Sequence, residues 1–337
     1  MTKRKEQGSA GFGSTDDLNR VAEKYAVRIT PSVYDTMEFQ NPNDPVARQY
    51  IPDAKELQNT TEEISDPIGD DTHSPTAGIV HRYPDRVLLM PVSSCAVYCR
   101  YCFRRENVGQ GKGHLSEAEL EQALSYIENT PEIWEVILSG GDPLILSPRR
   151  LQKIMQRLED IDHVQVIRIH SRVPVADPDR IDDALCDSLN TSKALYIALH
   201  INHAQEISEE VENSINILRK TGAVLISQSV FLKGVNNNAD TLETLFRKLV
   251  SLRIKPYYLH HPDKAKGTDH FRISLKEGQD IMRALRGRLS GLCLPNYMLD
   301  IPGGYGKVPL TPSYLTHQHD NLYTVEDYQG DDHFYRA

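Results

Sequence analysis

Cys95, Cys99 and Cys102 stand as Cys-x-x-x-Cys-x-x-Cys in the stretch SSCAVYCRYCFRR. Three thiolates this close on one loop can ligate three irons of a four-iron cluster and leave the fourth iron open to a small chelating molecule. Iron–sulfur clusters are ordinarily held by four cysteines, so a compact trio points to a cluster that does chemistry. The competing reading is part of a structural zinc site completed by Cys186, Cys293 or a histidine such as His114. Such sites use paired Cys-x₂-Cys knuckles and a fourth ligand, so the spacing favours the cluster. Cys186, in a helix-like stretch, and Cys293, in an apolar turn-to-strand segment, read as small buried hydrophobes.

Two other stretches carry chemistry-bearing residues. Ser139-Gly140-Gly141-Asp142-Pro143 follows a short apolar run, where glycines let backbone N–H and C=O groups approach a ligand closely. Read alone, that stretch is equally a plain strand-to-helix turn. Residues 300–307 read Asp-Ile-Pro-Gly-Gly-Tyr-Gly-Lys. A lysine carried by a glycine loop can form a Schiff base with an aldehyde cofactor, although the octapeptide by itself reads more simply as a surface loop. It lacks the full Gly-x₄-Gly-Lys-Ser/Thr phosphate-binding pattern.

The elements that must position these residues are legible from about residue 86 onward. Short apolar runs at Val87–Val92, Glu135–Leu138, Val164–His170, Leu195–Ile201, Ala223–Leu232 and Pro256–His260 read as strands. Between and after them, helix-period stretches lie near 116–129, 148–159, 177–189, 206–220, 238–253 and 274–289. Alternating strands and helices imply an α/β fold with a parallel sheet and right-handed crossovers. A partial (β/α)6 TIM-like barrel is favoured over a doubly wound sheet, because polar candidates recur at the C-terminal strand ends. Residues 1–20 are polar and read as disordered, 21–80 as a helical accessory region, 81–310 as the barrel with its lysine loop, and 311–337 as a C-terminal tail.

Bulk properties narrow the function classes. With 337 residues, a net charge of −9 and 25% charged residues, the chain reads as a globular protein without the basic face that nucleic acid requires. No apolar run approaches the roughly 18 residues of a membrane span. The start MTKRKEQGSAGFG is basic, but no apolar core follows it, so it is not a secretory signal. Five cysteines with three clustered do not make a disulfide framework, and a reducing cytoplasm is expected.

The cysteine loop and the glycine motif one strand later together resemble the radical S-adenosylmethionine superfamily. The resemblance sharpens to the lysine 2,3-aminomutase family through HRYPDRVLL, CAVYCRYCFRR, SGGDPL, RIHSRVPV, HINHAQE, SQSVFLKGVNN, KPYYLHHPDKAKGTDHF and the Pro-Gly-Gly-x-Gly-Lys loop. It spans about residues 30 to 315.

This resemblance implies a [4Fe–4S] cluster on Cys95, Cys99 and Cys102. It implies S-adenosylmethionine held by Ser139, Gly140, Gly141, Asp142, His200 and Gln228. It places pyridoxal 5'-phosphate on Lys307, with Tyr83 at the ring and Arg82 or Arg86 at the phosphate. A deoxyadenosyl radical then removes a substrate hydrogen, the amino group migrates from Cα to Cβ, and the hydrogen returns. An electron donor such as flavodoxin or ferredoxin is implied.

Substrate choice is argued from charge. Within the resemblance, Arg104 takes the substrate α-carboxylate, for which a planar guanidinium fork is suited. Asp263 and Asp300 take a distal ammonium, which points to L-lysine as substrate. Tyr305 replaces a glycine of the lysine loop and is expected to narrow the site, while Phe103 stands where smaller residues are common. The long clostridial-type enzymes carry a C-terminal extension with zinc-binding cysteines. Nothing similar follows Cys293, so no zinc is expected and oligomeric state is left open. Shortness and the CRYCFRR form also resemble the branch that makes (R)-β-lysine for attachment to elongation factor P.

Overall fold

The computed structural model describes residues 12–109 and 113–337. Its centre is a nine-stranded sheet whose strands lie in chain order. They are β1 (Ile79–Tyr83), β2 (Arg86–Val92), β3 (Glu135–Gly140), β4 (Val166–Ser171), β5 (Ala194–His200), β6 (Val224–Val230), β7 (Lys255–His260), β8 (Asn296–Ile301) and β9 (Gly306–Pro309). β2 through β8 pair in parallel, and β1 and β9 pair antiparallel at the two edges. The six predicted strands correspond to β2 through β7, while β1, β8 and β9 extend the sheet toward closure.

Strand interiors such as Val136–Ser139 and Val166–Ile169 are buried, as expected of a parallel sheet covered on both faces. Five of the helices packed outside it are Glu117–Glu128, Pro148–Glu159, Glu209–Arg219, Ala239–Ser251 and Leu275–Leu285. Each begins after a Ser or Asn whose side chain accepts from a first-turn N–H: Ser116, Ser147, Ser208, Asn238 and Ser274. Their apolar residues recur at i, i+3 and i+4, as in Leu151, Ile154, Met155 and Leu158, all buried against the sheet. The helix expected near 177–189 is broken. It forms two short helical turns, Pro178–Arg180 and Asp183–Asp187, parted by extended backbone at Asp182, and Val173–Ala176 forms another turn before them; Pro174 and Pro178 each stand in a first-turn position.

The two ends of the chain differ from expectation. Of the N-terminus expected to be disordered, residues 1–11 lie outside the described residues. Thr15–Lys24 is a helix capped by Ser14, and Phe12 is buried. Residues expected as a tail form a three-stranded antiparallel sheet: β10 (Leu315–His319), β11 (Leu322–Glu326) and β12 (Asp332–Arg336). Among the described residues no helix is long and apolar enough to cross a membrane.

The barrel nearly closes between its edge strands. The Lys307 backbone N–H on β9 donates to the Tyr83 hydroxyl at the end of β1, at 2.7 Å. Beside this seam Gly69, at φ +69°, packs so tightly on the lysine loop that a Cβ there would stand 2.7 Å from Gly304.

Candidate functional site

The cysteine loop leaves the C-terminal end of β2, and the accessory region holds it in place. Glu56 is fully buried and binds Arg100 (Nε to Oε1, 3.0 Å) and Arg105, which stand on either side of Cys102. Arg105 also donates to the carbonyls of Arg100 and Gly267. Arg105 is therefore a structural cation, while its neighbour Arg104 lines the cavity.

The glycine motif at the end of β3 lies directly against this loop. Gly141 N–H donates to Val92 O at 2.7 Å and Asp142 N–H to Ser94 O at 2.9 Å. A Cβ on Gly141 would stand 2.0 Å from the Ser94 carbonyl oxygen, so only glycine lets the two loops touch. The Asp142 carboxylate, expected at a ligand, is instead consumed internally. It accepts from Ser171 Oγ and from the N–H groups of Leu144, Arg172 and Val173 at 2.7–3.1 Å. Burial pushes its pKa up against those bonds.

One cavity of about 720 Å³ fills the barrel mouth and interior. It is lined by all three cysteines, Ser139, Gly140, Gly141, Asp142, His200, Gln228, Arg82, Tyr83, Arg86, Arg104, Asp263, Asp300 and Lys307. Every candidate site residue therefore faces one space. That volume lies in the range of small-molecule sites and far exceeds what one ion needs.

Within it, Lys307 Nζ pairs with Asp300 Oδ2. Asp300 is buried, its Oδ1 lies 3.6 Å from Arg82 without a hydrogen-bond donor, and His260 Nδ1 is 3.9 Å from Oδ2. Burial, reinforced by Asp300, raises Asp263 to about 7. Arg86 stacks on the Tyr83 ring, 3.8 Å from its centroid, and pairs with Asp85. Tyr305, expected to narrow the site, points outward and is 81% exposed.

His200 and Gln228 are register partners on β5 and β6. Burial drives His200 down to about 3, so it is neutral, and its buried Nε2 lacks a hydrogen-bond partner. A buried unpaired ring nitrogen on a cavity wall is available to a ligand.

Several lining residues carried no signal of their own in the sequence. His170 and His260 join His200 as half-buried, neutral imidazoles, His260 being driven to about 3 by desolvation. Arg172 sits in a buried network with Tyr50, Tyr101 and Glu206 beneath the cysteine loop. Asp70 binds both Arg82 and Arg104. His170 and Arg172 belong to the stretch RIHSRVPV, but Asp70 falls in a segment with no periodicity to point at it.

The donor set fits a cluster better than a lone ion. Among the described residues no group of three or more His, Cys, Asp or Glu converges tightly enough to hold one metal ion. A cluster places its own irons and sulfides between the thiolates, so thiols distributed along a cavity wall suit it. Burial pushes the Cys95 thiol up and raises Cys102 to about 11, so a bound cation must favour their deprotonation. Lys307 likewise fits an aldehyde cofactor: its amine pairs with the buried Asp300 of the cavity wall, its backbone N–H holds the Tyr83 hydroxyl, and Arg86 lies on the Tyr83 ring's face.

Comparison with known proteins agrees with this site. The profile of the radical SAM superfamily matches residues 89–245, and that of lysine-2,3-aminomutase matches residues 282–336. The L-lysine 2,3-aminomutase of Acetoanaerobium sticklandii is 39% identical over 315 residues, covering 94% of this chain and 76% of the relative. That of Clostridium subterminale is 38% identical over 330 residues, covering 98% and 77%. The glutamate 2,3-aminomutase of Clostridioides difficile is 35% identical over 313 residues, covering 93% and 74%. These relatives do not favour the elongation factor P branch. With the three thiols, the glycine turn and the late lysine around one cavity, the chain belongs to the lysine 2,3-aminomutase family of radical S-adenosylmethionine enzymes.

Proposed function

We propose that this chain interconverts L-lysine and β-lysine by 2,3-amino migration. The observation that carries the reading is the common cavity shared by Cys95, Cys99, Cys102, Lys307, Arg104, Asp263 and Asp300. In this reading the cysteines hold a [4Fe–4S] cluster. Ser139, Gly140, Gly141, His200 and Gln228 contact S-adenosylmethionine, while Asp142 rigidifies the loop beneath. Lys307 anchors pyridoxal phosphate, with Tyr83 at its ring. Arg86, whose carboxylate partner Asp85 is exposed, takes the phosphate, and Arg82, already between Asp70 and Asp300, serves the anionic side of the site. When bound, the cluster with S-adenosylmethionine supplies a hydrogen-abstracting radical, and pyridoxal phosphate supplies an electron-delocalising carrier for the migrating nitrogen. An external one-electron donor of the flavodoxin or ferredoxin type completes the system.

The protein's own residues set substrate choice. Arg104 meets the α-carboxylate with a charge-assisted, two-pronged contact. Asp300 already attracts a cation, the Lys307 ammonium. Once Lys307 is engaged by its cofactor, the ε-ammonium of L-lysine takes over that place beside Asp300 and Asp263. The distal carboxylate of glutamate would add a third like charge to a buried acidic pair, a costly arrangement. The cavity walls orient the substrate and exclude water from the reacting atoms.

Anaerobic incubation of reconstituted protein with dithionite, S-adenosylmethionine and either L-lysine or L-glutamate tests this. Chiral chromatography is expected to find β-lysine and no β-glutamate. Amino migration in glutamate alone would overturn the assignment.

A further inference from the structure

An unbroken line of alternating charge crosses the site: Arg104, Asp70, Arg82, Asp300, Lys307. Its ends are the cysteine loop and the lysine loop. Asp70 comes from neither, but from the accessory segment before the barrel. Arg104 Nε donates to Asp70 Oδ2 at 2.7 Å, and Arg82 NH2 donates to Asp70 Oδ1 at 3.2 Å. Both guanidinium groups and the carboxylate are largely shielded, with side-chain exposures of 10–14%.

Asp70 is itself held firmly. Its N–H and that of Asp71 donate to the two oxygens of Asp66, at 2.8 and 2.9 Å. The preceding Gly69 abuts the lysine loop at Gly304. On its other side the Arg104 guanidinium lies 4.5 Å from the Phe103 ring centroid. Fixed at Nε and stacked on a ring, Arg104 retains its two terminal nitrogens for a ligand. Without Asp70, two shielded cations on neighbouring loops would repel each other and turn apart.

We propose that Asp70 is a positioning residue for substrate recognition: by holding Arg104 at Nε it aims the terminal fork at the α-carboxylate, while Arg82 keeps its place by Asp300 through its own bond to the Ile68 carbonyl. The inference rests on the lysine reading above and adds the accessory segment to the determinants of specificity.

The test is calorimetric titration of holoenzyme, loaded with cluster, pyridoxal phosphate and S-adenosylmethionine, using L-lysine and then 1,5-diaminopentane. The diamine keeps the ammonium groups and lacks the carboxylate. Asp70→Asn is expected to weaken L-lysine by about tenfold or more, the size of a misaligned charge-assisted contact, and to leave the diamine within about twofold. Unchanged lysine affinity, or equal loss for both ligands, would overturn the proposal. If Asp70→Asn does not accumulate folded, Asp66→Ala, which removes both acceptors that hold the Asp70 turn and leaves Arg104 untouched, is read in the same pair of titrations. The same selective loss of L-lysine is expected. Lysine affinity equal to the unaltered enzyme would sink the idea. An unaltered holoenzyme that binds no L-lysine would instead defeat the parent reading.

Discussion

In the proposed function, substrate choice turns on Asp300. It is buried, one oxygen lies on the Lys307 ammonium, and the other has no hydrogen-bond donor. Removing one partner of a buried ion pair costs about 3–5 kcal/mol, because the other charge is left uncompensated. Asp300→Asn is therefore expected to lower kcat/KM for L-lysine by more than about a hundredfold. Unchanged steady-state turnover by this variant would remove the charge argument for lysine.

Asp263 makes a pH prediction. Its carboxyl is raised to about 7, first by burial and then by Asp300. Raised above the usual carboxylate range, it is protonated below about 7 and ionised above. Only the ionised form attracts an ammonium, so kcat/KM for L-lysine should fall toward acid, by up to about tenfold per unit below that value. A profile flat between about pH 6 and 8 would contradict it.

At the scale of elements, the contact between the glycine turn after β3 and the cysteine loop after β2 is set by the absence of one methyl group. Gly141→Ala drives a Cβ into the Ser94 backbone, which cannot move aside as a flexible side chain would. The expected cost is about 1–3 kcal/mol of overpacking, taken up by displacing the loop. Iron analysis after anaerobic reconstitution should find most of the cluster lost, and full iron content would show that the loops separate freely.

The same elements explain what is legible in the chain. β2 through β7 are legible as predominantly apolar runs because parallel strands are covered on both faces, with polar residues such as Arg168 and Gln228 where they meet the cavity. β1 and β9 stand at the edges, where Arg82, Tyr83 and Lys307 face the site and break the apolar run. Cysteine spacing marks one wall of the site through local sequence alone, because all three thiols leave a single loop. Asp70 and the Arg172 network join parts of the chain far apart in sequence, and no local pattern encodes such a meeting. Asp142 is legible as part of a motif, but its role as a loop anchor depends on residues about thirty positions away at the end of β4, Arg172 among them.

For the whole molecule, the nine-stranded barrel and the small C-terminal sheet are unequal partners. Among the described residues, the main hydrophobic core extends to Leu310 and includes none of β10 through β12. β10 and β12 are exposed along their length, and contacts with the barrel include Arg283 with Glu326, Ser313 and the Tyr314 ring, Arg286 with Tyr314, and Gly287 against Tyr328. Deleting residues 313–337 is thus expected to lower Tm modestly, at about 2–4 °C for each kcal/mol lost, and to leave cluster content intact. Calorimetry and iron analysis check this, and a truncated chain unable to bind iron would show the small sheet to be integral.

The seam between the outermost strands divides labour inside one residue. At Lys307 the main chain shuts the cylinder by its bond to Tyr83, while the amine reaches inward. Architecture and reactivity are thereby uncoupled at a single position. Lys307→Ala discards the amine proposed to anchor the cofactor yet keeps the latch, whereas Tyr83→Phe slackens the latch and spares that amine.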